Sequence, residues 1–343
     1  MPQKKPLLTT TAQLNNYVTL DTNERELPAP LVTELLRLEA QLLRPLLGGP
    51  LLDWLRDQAD ADPALDEADS LAGELLRLVH APLARIGLAG VLDELQVTVS
   101  NTGIHIMPGS GTHKTAFQWQ VVRLDRTLSR KGYLDVNVLV QWLEDNYQAS
   151  EELKEWADSA HGQQHRQQLI TSAPEVSSLV DIQDSWRTFR ALWPVMQRQS
   201  TFVLQNALGQ LYWAELHEQV RRRTVTPENE QILRDYVRPA LAHLTLARAV
   251  PEGLLALTSD GLVLAQEQEQ PARPDVGLAQ LLAMRARDAE QTANVYLLQL
   301  CQHLNAQASA THYATYYHSP AYVSPATPKN PINTTQSRVY RFI

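Results

Sequence analysis

Four groups of residues have the types and spacing that chemistry asks for. Pro108-Gly109-Ser110-Gly111-Thr112-His113-Lys114-Thr115 has the outline of a phosphate loop, in which backbone N–H groups cradle phosphates and a lysine reaches them. Such a loop needs glycine just before the lysine and again five residues earlier, where this chain has His113 and Pro108, so the segment reads as a connection between elements. His161 and His165 stand four apart, as zinc-binding pairs on one helix face do. No Glu follows the first and no third ligand accompanies them, so both read as surface residues of a Gln-rich helix. The acids Asp53, Asp57, Asp60, Asp62, Asp66, Glu67 and Asp69 lack the central Gly and closing Glu of a calcium loop and read as a solvated loop. Arg221-Arg222-Arg223 lies beside Glu218 and Glu228 and reads as a solvated helix end. No Gly-x-Ser-x-Gly elbow marks a nucleophile, and Cys301, among Leu298, Leu300 and Leu304, reads as a small buried hydrophobe. No catalytic, cofactor or metal site is expected, and no enzyme.

Composition narrows the remaining classes. The chain has 343 residues, 44% of them hydrophobic, which fits a globular protein of about two domains. One cysteine excludes an internal disulfide framework. A formal charge of −8 argues against a protein that coats nucleic acid by neutralising phosphates. Its purely apolar runs fall far short of a bilayer span, and Met1 to Leu8 lack the apolar core of a secretory leader. Neither membrane association nor export is expected.

The elements that would position any site are helical and appear twice. Leu31, Leu35, Leu38, Leu42 and Leu46 recur at helical steps until Gly48-Gly49-Pro50 breaks the helix, and Leu51, Leu52 and Leu55 begin another. A further helix carries Leu75, Leu78, Pro82, Ile86 and Ala89. Leu95 to Val99 then alternates with period two, turns at Asn101-Thr102-Gly103 and alternates again, which predicts a β-hairpin. Leu47-Gly48, Leu55 and Gln58 return as Leu208-Gly209, Leu216 and Gln219. Val79, Leu83-Ala84, Leu88-Ala89 and Gly103-Ile104 return as Val237, Leu241-Ala242, Leu246-Ala247 and Gly261-Leu262. The order helix, Leu-Gly break, helix, loop, helix, hairpin predicts a tandem duplication. Helical stretches follow both hairpins, the first broken at Gly132.

The expected fold is therefore mainly α with small β-hairpins, built as two copies of one helical-bundle-plus-hairpin unit. The expected layout is an N-terminal arm (1–30), a first unit (31–145), a polar helical linker (146–185), a second unit (186–308) and an extended Tyr/Pro-rich tail (309–343). The tail is too poor in apolar groups to bury a core of its own, yet its tyrosines suit it to lie on another surface.

Leu95 to Gly103, Lys114-Thr115-Ala116-Phe117-Gln118-Trp119-Gln120, Ser185 to Leu192, and Thr226 to Glu230 with Pro239 to Thr245 give the chain a likeness. Over residues 31 to 305 it resembles the head–tail connector, or adaptor, proteins of tailed bacteriophages. It looks closest to a phage and prophage family of Bacteroidetes of unknown function with tandem connector-like units. The resemblance implies a structural protein of the virion neck, assembled in the host cytoplasm. It would form a twelve-copy ring below the portal protein, contact downstream neck or tail proteins, and let DNA pass through its channel without binding it. Alternatives are a tail-completion or stopper ring and a non-viral helical scaffold. In that setting the hairpins around Val97, Val99, Asn101, Gly103 and Ile104, and around Leu257, Asp260 and Gly261, are candidate subunit contacts. Tyr313, Tyr316, Tyr317, Tyr322, Tyr340 and Phe342 are candidates for docking the tail onto a neighbouring chain or the portal. Asp57, Asp60, Asp62, Asp66 and Asp69 are candidates for an acidic channel wall that lets DNA slide.

Overall fold

A computed structural model describes residues 5–19, 25–100, 103–106, 117–258, 261–265 and 276–325. The described residues divide into two compact units, one drawn from Met1–Trp193 and Leu254–Gln270, the other from Pro194–Gly253 and Pro271–Ile343. Both are helical, and the only sheets among the described residues are two short antiparallel hairpins.

The first unit begins with a segment that is strapped down rather than free. Leu7, Leu8 and Leu14 are buried, and helix α1 (Thr11–Asn15) is opened by a capping box in which Thr10 and Gln13 satisfy each other's backbone N–H groups. The Leu7 N–H donates to the buried carboxylate of Glu39, and His80 Nε2 lies 3.2 Å from the Leu7 carbonyl oxygen. Leu7-Leu8 supplies the apolar area that holds this segment, with its one short helix, on the core.

Helix α2 (Ala29–Leu38) passes through a π-helical turn, Glu39–Leu43, into α3 (Arg44–Ala61), which is kinked at Gly48 with φ 76° and ψ 163°. A 3₁₀ turn, Leu65–Glu67, leads to α4 (Leu71–Gln96). By length and composition α4 could cross a membrane, but 67% of its most apolar window is buried inside the chain. Strands β1 (Val97–Ser100) and β2 (Gly103–Ile106) pair with Val97 opposite Ile106 and Ser100 opposite Gly103. Helix α5 (Gln118–Asn146) then packs back along α4. The sequence predicted a break at Gly132, but the helix runs straight through. A Cβ there would sit 2.4 Å from Ile86 Cγ1, so this glycine serves close helix packing, not termination. Helices α6 (Glu151–Asp158), α7 (Ala160–Arg166), α8 (Ala173–Leu179) and the first half of α9 (Trp186–Gln199) complete the unit. The polar linker expected over 146–185 is helical as read, but it is packed rather than exposed: Leu153, Trp156, Ile170, Ala173 and Ile182 are all buried.

The same series recurs. A π-helical turn, Ser200–Leu204, leads to α10 (Gln205–Leu208), to Gly209 with φ 75° and ψ 148°, and to α11 (Gln210–Arg222). Helix α12 (Pro227–Ile232) and a further π turn, Leu233–Val237, open α13 (Arg238–Ala249). Strands β3 (Leu255–Thr258) and β4 (Gly261–Leu264) pair in the register of the first hairpin, again with two residues between the strands. Helix α14 (Val276–Gln307) packs on α13, and α15 (Ala314–Tyr317) on α11. The π turn and positive-φ glycine at 39–43 and 48 return 161 positions later at 200–204 and 209. At that same spacing the buried Leu128, Leu139 and Leu143 of α5 correspond to the buried Ala289, Leu300 and Leu304 of α14. Tandem duplication is thus a property of the backbone as well as of the sequence.

Candidate functional site

Each copy has a kinked helix whose broken carbonyls need partners. In the first, Pro50 carries no N–H, so the Leu46 carbonyl four residues earlier loses its helical donor. The indole Nε1 of buried Trp156 replaces it at 3.0 Å, and His161 Nδ1 lies 3.1 Å from the Pro45 oxygen. His161 is therefore a cap over Gly48, not half of a metal pair. His165 is buried, contrary to the surface position read from the sequence. It lies among Trp186 and Trp193 and 3.8 Å from Glu144, whose other oxygen is 3.4 Å from buried Arg166. Among the described residues no three His, Cys, Asp or Glu side chains are grouped to hold a metal.

In the second copy the tail lies over the bend, with Ser319 and Ala321 against the place a Gly209 Cβ would take. Tyr316 is fully buried, its hydroxyl within reach of Asn305 Oδ1 at 2.9 Å and the Ala321 carbonyl at 3.2 Å. Its ring and that of Tyr313 meet Tyr212 edge-on, and Tyr317 packs on Tyr322. Tyr212 donates to Asn229 Oδ1 at 2.7 Å, and burial raises its hydroxyl far above the usual phenol range. Burial likewise pushes Tyr316 up to about 12. Tyr313 and Tyr316, expected to dock on another chain, thus close their own unit, because a buried phenol finds its partners there. Tyr317 and Tyr322 are half-buried in the same cluster, and Tyr340 and Phe342 lie outside the described residues.

Of the acids proposed for a channel wall, Asp57, Asp60, Asp62 and Asp69 are exposed, whereas Asp66 turns inward to within 4.0 Å of His80 Nδ1. Burial holds the His80 imidazole below its usual range. Beside Arg221 and Arg222, half-buried Glu218 is held down to about 2.

Val97, Val99, Gly103 and Ile104 lie on the first hairpin as expected, and Asn101 lies outside the described residues. On the second, Leu255, Leu262 and Leu264 are buried and Leu257 half-buried, so the base of that hairpin is covered by its own chain. Gly261 sits at the end of β4, and Asp260 is outside the described residues.

The periodicity of the sequence did not disclose what is open at the head of the long helices. Phe117 (67% exposed), Trp119 (62%) and Leu124 stand free on α5, as do Leu278, Leu281 and Met284 (65%) on α14. Beside the aromatics of α5, Arg123, Arg130 and Lys131 are also exposed.

A family model described as a family of unknown function, DUF6712, matches the chain twice, over residues 43–164 and 204–326. The chain belongs to this family. Its two copies reach further than the sequence pattern indicated: one DUF6712 copy takes in α6 and α7, the other α15 and the tyrosine cluster. These are the segments that cap the two kinked helices. No curated protein and no solved structure matches the chain.

Proposed function

We propose that this protein is a structural component of the neck of a tailed bacteriophage: a ring adaptor below the portal that joins head to tail and extends the DNA channel. Twelve chains form the ring, the portal protein and downstream neck or tail proteins are its neighbours, and DNA only passes through. One observation carries the reading. Both family copies leave large apolar side chains open at the head of the long helix that follows the hairpin, Phe117 and Trp119 in one and Leu281 and Met284 in the other. Paired open patches of this kind mark surfaces made to be covered by partners. A chain with two similar surfaces fits a closed assembly of many subunits better than a lone catalyst. The motif resemblance at Leu95 to Gly103 and Lys114 to Gln120 favours the neck among such assemblies.

Deleting the gene from a phage or prophage that carries it tests this. The expected outcome is heads and tails that fail to join, with joining restored by the supplied protein. Normal tailed virions lacking the chain would contradict the reading.

A further inference from the structure

The first unit carries an acidic cluster at one end of α4 and an excess of exposed cations on α5 near the other, where Asp93 and Glu94 of α4 are also exposed. At one end, where α3 runs out and the 3₁₀ turn meets α4, Asp57, Asp60, Asp62, Glu67 and Asp69 are all exposed. Arg77 holds this turn on α4 by donating to the carbonyl oxygens of Asp66 and Ala68, both at 2.9 Å, so the acids are fixed to the start of that helix. The other feature is the head of α5, with exposed Phe117 and Trp119 and the cations Arg123, Arg130 and Lys131. Helices α4 and α5 run antiparallel, as the Arg85–Asp135 ion pair and the Ile86–Gly132 contact fix. At 1.5 Å per residue the basic and aromatic patch therefore lies about 25–45 Å from the acidic end. The two are too far apart to neutralise each other within one unit.

We propose that the aromatic and basic head of α5 docks on the acidic end of α3 and α4 of a second copy of this chain. The charges complement, and exposed Phe and Trp with neighbouring Arg have the composition of an interface centre. Because the two surfaces are different and lie at opposite ends of one helical pair, the contact is head-to-tail. Repeated with a fixed rotation it closes into a ring. The acids then serve subunit contact and not the channel wall. This deepens the neck reading and rests on it for the closure of the ring.

The test uses two charge-reversed full-length variants, R123E/R130E/K131E and D57K/D60K/D69K, each checked by circular dichroism for the parent's helicity and melting. Mass photometry of the parent should show a high-mass species that both variants lose. Mixing the variants should restore it, because each then offers the surface the other needs. Trp119→Ala should weaken assembly without reversing any charge, and salt near 1 M, where screening acts within about 3 Å, should dissociate the parent. A parent that assembles while either triple variant assembles equally well, or a mixture that stays dissociated, overturns the docking but leaves the ring reading standing. A parent that stays monomeric even with its portal contradicts both. Loss of duplex DNA retention by R123E/R130E/K131E with assembly intact would assign the patch to nucleic acid and also overturn the docking.

Discussion

The two kinked helices solve one backbone problem with different side chains. Both turn at a glycine near φ 75°, and both stand behind a π-helical turn. In the first copy Pro50 removes an N–H outright, and a strong indole donor, Trp156, serves the stranded carbonyl of Leu46. In the second, Leu211 stands where Pro50 would, keeping its N–H, and the equivalent carbonyl of Ala207 has the Cys301 thiol 3.9 Å away. The covers differ too: His161 lies over Gly48, whereas Ser319 and Ala321 lie over Gly209. Duplication kept the bend and let the cap follow local need. The outward faces diverged further, with Phe117 and Trp119 beside Arg123 on α5 and Leu281 and Met284 beside Arg285 and Arg287 on α14, as expected if each copy meets a different neighbour.

The largest effects should come from removing the caps. Trp156→Ala and Tyr316→Ala each take away a buried aromatic and should cost about 3–5 kcal/mol in denaturant unfolding. If only one did so, the two caps would not be equivalent. Next come the bends. Alanine at a positive φ is strained by about 1–3 kcal/mol. Gly209→Ala should exceed Gly48→Ala, since its Cβ would come 2.7 Å from the Ser319 side chain, against 3.1 Å from a movable His161 ring. The contrast in carbonyl capping is sharper but smaller. Trp156→Phe keeps most of the ring and strands the Leu46 oxygen, which should cost about 1–3 kcal/mol, whereas Cys301→Ala should cost less than about 1.

Acid should act most weakly, and mainly on the first unit. His80 is held below its usual pKa by burial, with the Leu7 carbonyl and Asp66 only partly offsetting that. The unfolded chain therefore binds the proton first. The stability His80 confers is complete above its ordinary pKa near 6.5 and is lost as pH falls from there toward the folded value. Melting temperature should decline between about pH 7 and 5, and His80→Gln, which can still donate to Leu7, should flatten that decline. An unchanged slope would place the acid sensitivity elsewhere, for instance at His243, whose imidazole is lowered by lesser burial in the second unit.

Much of this fold was legible in the sequence because leucine and glycine carried it. The Leu47-Gly48 and Leu208-Gly209 pairs marked both bends, a period-two run before Gly103 marked the first hairpin, and the return of Gly103-Ile104 as Gly261-Leu262 marked the second. What stayed hidden used other chemistry. The stretch from Tyr313 to Tyr322 has no apolar periodicity; it is held by rings meeting rings and by hydroxyls reaching Asn305 and a backbone carbonyl, neither of which leaves a spacing signal. The Leu7-Leu8 strap is too short to show a period, and Asp66 differs from its acidic neighbours only in facing His80. The helix bearing Phe117 and Trp119 was expected, but periodicity cannot tell a face that packs on its own chain from one left open for another.

The most direct test of the neck assignment is mass photometry of the purified full-length chain, alone and then mixed with a portal protein from the same genome. The account predicts a discrete ring of about twelve chains, or stoichiometric chain on the portal. A chain that remains monomeric and indifferent to the portal would contradict it.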